Sequence, residues 1–177
     1  MGDLLGTQLE ILPSQIISWG DFETRYPEGK SLSRETGYTR QYGRNPYTGY
    51  DDISSSPFLF DGPRDDRLPP MARVVAIAVN GKDKAYPFSA LAGEGVANDV
   101  AGGVPVVVFW KPGTASALDT PSFDDARNIG STAVYERTVG EIILSFTATG
   151  EGFVDAETGS TWNLFGEAIA GPLAGKK

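Results

Sequence analysis

Tyrosine and arginine side chains are concentrated between residues 38 and 52, a combination that suits the binding of a ligand or a partner protein. Both residue types present broad surfaces with hydrogen-bond donors, and an arginine above a tyrosine ring adds cation–π attraction. A second interpretation is structural: the rings cover an open end of the fold, and the arginines pair with nearby aspartates, namely Asp51, Asp52, Asp65 or Asp66. The candidate ligand-binding residues are Arg40, Tyr42, Arg44, Asn45 and Tyr47, together with Trp110 and Trp162 at the ends of predicted strands.

Two carboxylates with separated pKa values can hydrolyse a glycoside-like substrate, one as general acid and the other as base or nucleophile. Asp99, which follows Asn98 near apolar residues, and Glu167, in a short predicted helix, form the candidate pair. Because aspartate and glutamate are common in any chain, both residues also have an ordinary structural interpretation. A carboxylate-dependent hydrolase is therefore one functional alternative.

A group of aspartates near residue 60 has the oxygen chemistry that Ca²⁺ prefers. Their spacing does not match the D-x-[DN]-x-[DN]-G calcium loop, and Arg64 and Arg67 stand beside them as counter-charges. We therefore favour a salt-bridged loop and predict no metal site, with a calcium-binding module as a further alternative. Its candidate ligands are Asp61, Asp65 and Asp66.

The chain contains no cysteine and no histidine among its 177 residues. Disulfides, thiolate nucleophiles, iron–sulfur clusters, a Ser-His-Asp triad and imidazole-bound metals are thereby excluded. Neither G-x-G-x-x-G nor G-x-x-x-x-G-K-[ST] occurs, so nothing indicates a phosphate-binding loop. We expect no cofactor, and the missing catalytic residue types favour a protein that is not an enzyme.

Acidic residues outnumber basic ones by 23 to 15, which gives a net charge of -8. Such a field opposes binding to nucleic acid and to anionic membrane surfaces. No apolar run approaches the roughly 20 residues that span a bilayer, and residues 1–6 lack the basic and apolar regions of a signal peptide. We expect no nucleic-acid partner and no membrane insertion.

Short apolar stretches bounded by turn residues predict a mainly β fold with minor helix. Residues 73–79 and 84–88 flank Asn80-Gly81, a pair typical of hairpin turns. The apolar run 104–110 is typical of a buried strand, with its first residues, around Pro105, outside the ladder. The three tryptophans are expected in the core. Further hairpins are predicted at 131–135 with 141–146 and at 152–155 with 160–162.

These elements predict one domain over residues 1–177, built on a single barrel-like or rolled antiparallel sheet. Residues 33–70 have no strand or helix period but are rich in aromatics, which predicts a long ordered loop. Residues 2–6 and 171–175 share a G-x-L-x-G frame, which leaves two interpretations: a chance match of five residues, or a linker from a preceding unit at residues 1–12. Short helices are expected near 19–26, with Ser18 as N-cap, and near 88–93 and 164–170.

Seven short motifs are distributed over about residues 10–175: YTRQYGRNPYTGYDD at 38–52, DDRLPP at 65–70, KAYPF at 84–88, ND at 98–99, PVVVFW at 105–110, ETGSTWN at 157–163 and GEA at 166–168. Together they resemble the domain-of-unknown-function family 3179. The resemblance implies a prokaryotic, often secreted or membrane-anchored protein with two related halves, of which this chain is similar to the second. It therefore suggests an extracytoplasmic location, and it supplies no established activity.

One segment departs from the family pattern. Many members have a Cys-Pro-Leu-Cys-like segment after the buried strand, and this sequence has Trp110-Lys111-Pro112-Gly113-Thr114 instead. The chemistry of those cysteines is not available to this chain. The sequence therefore predicts an uncharacterised, non-enzymatic binding or structural domain that uses its Tyr/Arg-rich loop and associates with further copies or with a sister domain.

Overall fold

The computed structural model describes residues 2–3, 5–8, 12–150 and 152–177 of the chain. Strands hold 31% of the residues and helices 10%, so the predicted mainly β fold with minor helix is confirmed. The described part contains α1 (Trp19–Arg25), β1 (Val74–Val79), β2 (Lys82–Pro87), α2 (Phe88–Glu94), β3 (Val96–Ala101), β4 (Val104–Lys111), a 3-10 turn (Phe123–Asp125), β5 (Ser131–Glu136), β6 (Thr138–Val139), β7 (Ile142–Ile143), β8 (Phe146–Thr149), β9 (Gly152–Asp155), β10 (Thr161–Trp162) and β11 (Ala168–Ala170).

A three-stranded antiparallel sheet, ordered β3-β4-β5, has packed layers on both faces. One face contacts side chains of the four-stranded sheet β11-β10-β9-β8. The other contacts the β1–β2 hairpin and α2. With the small β6–β7 pair, the described strands form four sheets and none closes into a barrel, so a single barrel-like or rolled sheet is not confirmed.

Strand β4 is the most buried element, because it contributes to both layers. Val107 and Phe109 belong to one apolar cluster and Val108 to the other. A strand covered on both faces is apolar at successive positions, as the sequence is here, and the predicted buried strand is confirmed. Pro105, however, lies inside the β3–β4 ladder, and its carbonyl accepts the Arg137 N–H at 3.1 Å.

The hairpin predicted at Asn80-Gly81 is confirmed as β1–β2. Asn80 has φ 50° and Gly81 has φ 69°, and two successive positive φ angles are what a two-residue hairpin turn requires. The hairpin 152–155 with 160–162 is confirmed as β9–β10.

Two predicted helices are confirmed. The Ser18 side chain accepts the Asp21 N–H at 3.0 Å and begins α1, and Gly95 ends α2 in the left-handed conformation. Trp19, however, is 58% exposed, because α1 buries none of its residues, so its expected core position is wrong.

The hairpin predicted between 131–135 and 141–146 is wrong. Strand β5 pairs with β4, since the chain turns at Gly140 and residues 142–143 pair with β6 instead. Phe146 begins β8, which pairs with β9. The local β6–β7 turn therefore replaces the longer hairpin.

The helix predicted at 164–170 is also wrong. The Asn163 Oδ1 accepts the N–H groups of Phe165 at 2.9 Å and Glu167 at 3.1 Å, and Gly166 has φ 72°. An asparagine that binds backbone N–H groups in this way stabilises a turn. The chain reverses and continues as β11, with Glu167 in the turn before that strand.

The described residues between α1 and β1 form no helix or strand, in agreement with the long loop predicted at 33–70. Of the predicted linker 1–12 and its G-x-L-x-G frame, residues 1, 4 and 9–11 lie outside the described residues. The linker and the single-domain organisation stay predictions. In the described part, no helix combines the length and apolarity that crossing a bilayer requires.

Candidate functional site

The Tyr/Arg-rich loop 38–52 is fixed by backbone hydrogen bonds to the segment 114–129, which connects β4 to β5. The N–H of Asn45 donates to the Pro121 carbonyl at 3.2 Å, and the N–H of Gly49 donates to the Asp119 carbonyl at 2.7 Å. The side-chain amide of Asn45, itself buried, donates to the Thr120 carbonyl at 3.1 Å. Backbone bonds of this kind give the loop one conformation without a strand ladder.

Asp51 forms a second attachment at the end of the loop. Its carboxylate accepts hydrogen bonds from the Ser116 hydroxyl, from Arg73 at 3.3 Å and from Arg127 at 2.9 Å. Arg127 also pairs with Asp119 at 3.1 Å. Three distant segments of the chain therefore meet at one carboxylate that is only 10% exposed.

Burial raises the pKa of Asp51, but the Ser116 hydrogen bond and the positive charges of Arg127 and Arg73 outweigh it, so the pKa lies below its ordinary value. The charged form is thus stabilised by folding. This contribution is present above the unfolded pKa, near 4, and is lost as pH falls through the lower folded pKa.

Replacing Asp51 by Asn is expected to lower the free energy of unfolding at pH 7 by about 1–2 kcal/mol, because charged hydrogen bonds are lost while Arg127 keeps access to solvent. Urea unfolding of both proteins between pH 7 and pH 2.5 tests this. The difference should begin to shrink below about pH 4, where the Asp51 carboxyl of the unfolded chain becomes neutral, and should go on shrinking as pH falls through the lower folded pKa. The exposed Asp124→Asn variant is the control, and an equal Asp51→Asn effect at all pH values would contradict the assignment.

Some polar and aromatic side chains of the loop are exposed, and others are held by contacts within the fold. Tyr47 is 64% exposed and lies edge-on to Tyr50, with ring centroids 6.2 Å apart. Tyr42 is half-buried and its hydroxyl contacts Thr36. The side chains of Arg40 and Arg44 are exposed, and the backbone of Arg44 forms an isolated antiparallel β-bridge with Ser122. The geometry brings Asn45 into an anchoring position and leaves Tyr47 at the surface.

The two predicted strand-end tryptophans are separate from this surface. The Trp110 indole N–H donates to the Ile129 carbonyl at 3.2 Å, and its ring contacts Gly130 so closely that a Cβ there would lie 2.4 Å away. Trp162 is 3% exposed and donates to Asp155 at 2.8 Å. Both indoles have partners within the fold, which agrees with core positions.

Asp99 and Glu167 lie in different ion-pair networks. Asp99 contacts Lys84 at 2.5 Å and accepts the Tyr86 hydroxyl at 3.1 Å. Glu167 contacts Arg25 at 2.5 Å. The Lys84 hydrogen bond outweighs burial and lowers the pKa of Asp99, and the Asn163 hydrogen bond does the same for Glu167. A general acid needs a raised pKa, so these surroundings do not favour that role.

Of the three candidate calcium ligands, Asp65 has a counter-charge. Asp65 pairs with Arg67, and that hydrogen bond lowers the pKa of Asp65 to about 2. Asp61 and Asp66 are exposed in the same loop. Within the described ranges, no group of three or more acidic residues is arranged to hold a metal ion.

Sequence reasoning missed the two arginines that bind Asp51, because Arg73 and Arg127 lie outside the Tyr/Arg-rich loop. It also missed Asp155, which is fully buried and accepts the N–H of Thr158 at 2.6 Å and the indole N–H of Trp162. The segment from Asp155 to Trp162 does carry a local signal: an aspartate followed three and five residues later by Thr158 and Ser160 is suited to a side-chain-bonded turn.

Fold and site together define a β-rich protein with an anchored, tyrosine-rich surface loop. No match was found among curated proteins or among solved structures. The chain belongs to the DUF3179 family of proteins of unknown function, whose model matches residues 1–177. The resemblance predicted from the short motifs is thereby confirmed. Its further implication, that this chain corresponds to a second half, stays a prediction.

Proposed function

We propose that the chain is a non-enzymatic binding domain whose loop 38–52 binds a partner protein. The observation that carries the proposal is the contrast within this loop: its backbone is fixed at Asn45 and Gly49, while the Tyr47 ring between them is 64% exposed. A surface that is already ordered loses little conformational entropy on binding. Tyrosine and arginine are the residue types enriched at the energetic centres of protein interfaces.

The charge of the loop surface indicates the kind of partner. Arg40 and Arg44 are exposed in a chain whose net charge is -8, and Asp51 at the end of the loop is neutralised by its own arginines. The exposed part of the loop therefore carries two arginines against one exposed carboxylate, that of Asp52, and is weakly basic and aromatic. It suits a partner with acidic and apolar side chains.

The family resemblance suggests a sister domain as the first partner to test, and an extracytoplasmic location stays a prediction of that resemblance. A carboxylate-dependent hydrolase is less well supported. Asp99 and Glu167 each have a lowered pKa and a basic partner, so neither carboxyl is prepared to donate a proton at neutral pH.

Partner capture with loop variants tests the proposal. We expect the immobilised chain to retain a defined protein from extracts of the cells that naturally make this chain. Tyr47→Ser or Arg44→Ala should reduce the retention of that protein at least tenfold. Trp19→Ser, which removes a comparably exposed aromatic ring from α1, is the matched control. The same proteins retained at the same level by wild type and by both loop variants would overturn the proposal.

A further inference from the structure

A cleft of about 1930 Å³ lies between the β1–β2 hairpin and the β5 side of the central sheet. Its walls include every residue of β1 and residues 132–136 of β5. Side chains of successive strand residues point to opposite faces of a sheet. A strand that lines a cleft with consecutive residues therefore borders it with its edge. Both β1 and β5 are terminal strands in their sheets. The cleft is therefore flanked by two strand edges without a ladder partner among the described strands.

An exposed apolar tip stands beside this cleft, formed by Phe58, Leu59 and Phe60. Their exposed fractions are 74%, 86% and 56%. Phe60 and the preceding Pro57 line the cleft of their own chain, whereas Phe58 and Leu59 do not. Leu59 also has φ 56°, a left-handed conformation that is costly for leucine. The molecule thus carries both an apolar cleft and an apolar tip whose two most exposed residues, Phe58 and Leu59, are outside the lining of that cleft.

The total surface indicates that a large area is available to a partner. The chain exposes 12660 Å², whereas a compact globule of this mass exposes about 8,300 Å². A stable interface of standard size needs about 800 Å² from each partner. An interface of that size would take only a small part of the exposed surface of each copy.

The charges at the cleft favour a second copy over a partner whose surface is strongly acidic or strongly basic. The lining includes equal numbers of cationic and anionic side chains, so this surface is neutral although the chain carries a charge of -8. Two copies can meet here without the repulsion that their net charges impose elsewhere. The charged residues of the lining are Arg64, Arg67, Lys84, Asp65, Asp83 and Glu136.

We propose that two copies of the chain form a symmetric dimer, in which the tip at residues 58–60 of each copy inserts into the cleft of the other. Reciprocal insertion uses the same two surfaces twice and closes the assembly at two copies. It places Leu59, which no contact in its own chain shields, between the edges of the partner's β1 and β5. This interface uses none of the residues of loop 38–52 and goes beyond the proposed function.

Sedimentation of the full chain over a range of concentrations tests the dimer with one variant for each surface. Leu59→Asp should raise the dimer dissociation constant at least tenfold, and aspartate tolerates the left-handed conformation, so the monomer keeps its fold. Ala76→Glu, at an exposed position on β1, should act on the cleft. The matched controls are Leu32→Asp, 84% exposed, and Ala170→Glu, exposed on β11.

A mixture of the two variants tests reciprocity. The Leu59→Asp copy keeps its cleft and the Ala76→Glu copy keeps its tip, so the mixed dimer retains one of two contacts and should be tighter than either variant alone. A wild-type chain that is monomeric at all concentrations, a dimer unaffected by either variant, or a mixture no tighter than its components would overturn the proposal. Tyr47→Ser should leave the dimer unchanged, which separates this test from the partner-capture experiment.

Discussion

Replacing Asp155 by Asn is expected to lower the free energy of unfolding by about 3 kcal/mol, because buried donors lose their acceptor. Asp155 is fully buried, and its Oδ1 accepts the Thr158 N–H while its Oδ2 accepts the N–H groups of Ser160 at 3.2 Å and Trp162 at 2.8 Å. Asparagine has only one acceptor oxygen. In either amide orientation, its NH₂ group faces at least one of these N–H groups.

Chemical denaturation at pH 7, followed by tryptophan fluorescence, measures this loss. Asp124→Asn makes the same chemical change on the exposed 3-10 turn and should alter the free energy of unfolding by less than about 0.5 kcal/mol. If Asp155→Asn cost no more than this control, the carboxylate would not be the acceptor that organises the β9–β10 turn.

Replacing Gly102 by Ala should lower the free energy of unfolding by about 3 kcal/mol, because strain and overpacking act together. Gly102 has φ 55°, and a Cβ at this position would lie 2.1 Å from the Val79 carbonyl oxygen. Its own carbonyl accepts the Asn80 side-chain amide at 2.9 Å. The substitution therefore forces the tip of the β1–β2 hairpin away from the β3–β4 turn.

The neighbouring glycine provides the matched control. Gly103 has φ 84°, but the space that a Cβ would occupy there is open, so Gly103→Ala should cost only the backbone strain, about 1 kcal/mol. Hydrogen exchange of the β1 amides, measured beside denaturation, should increase in Gly102→Ala alone. Equal stability losses and equal exchange in the two variants would show that the hairpin does not depend on this close approach.

Elements specified by neighbouring residues could be predicted from the sequence. Asn80-Gly81 specifies a hairpin through its positive φ angles, and Ser18 begins a helix through one side-chain hydrogen bond. The wrong predictions concern choices between competing partners. Strand β5 pairs with β4 rather than with the residues that follow it, and the Asn163 side chain replaces a helix by a turn. A pattern of neighbouring residues does not distinguish between such alternative partners.

The sequence likewise predicted the location of the candidate site but not the residues that anchor it. Its location followed from the aromatic and basic composition of residues 38–52, which is a local property. Its anchors did not follow, because Asp119 and Arg127 lie about 70 residues further along the chain. Arginines next to Asp51 in sequence were the expected partners, whereas folding supplies Arg73 and Arg127.

The hydrogen bond from Gly49 to Asp119 also determines when this surface forms during protein synthesis. A ribosome adds about 5–20 residues per second, so several seconds separate the two ends of this bond. During that interval the nascent chain carries Tyr47, Phe58 and Leu59 without the segment that fixes the loop. These aromatic and apolar residues are then accessible to chaperones and to premature contact between neighbouring nascent chains.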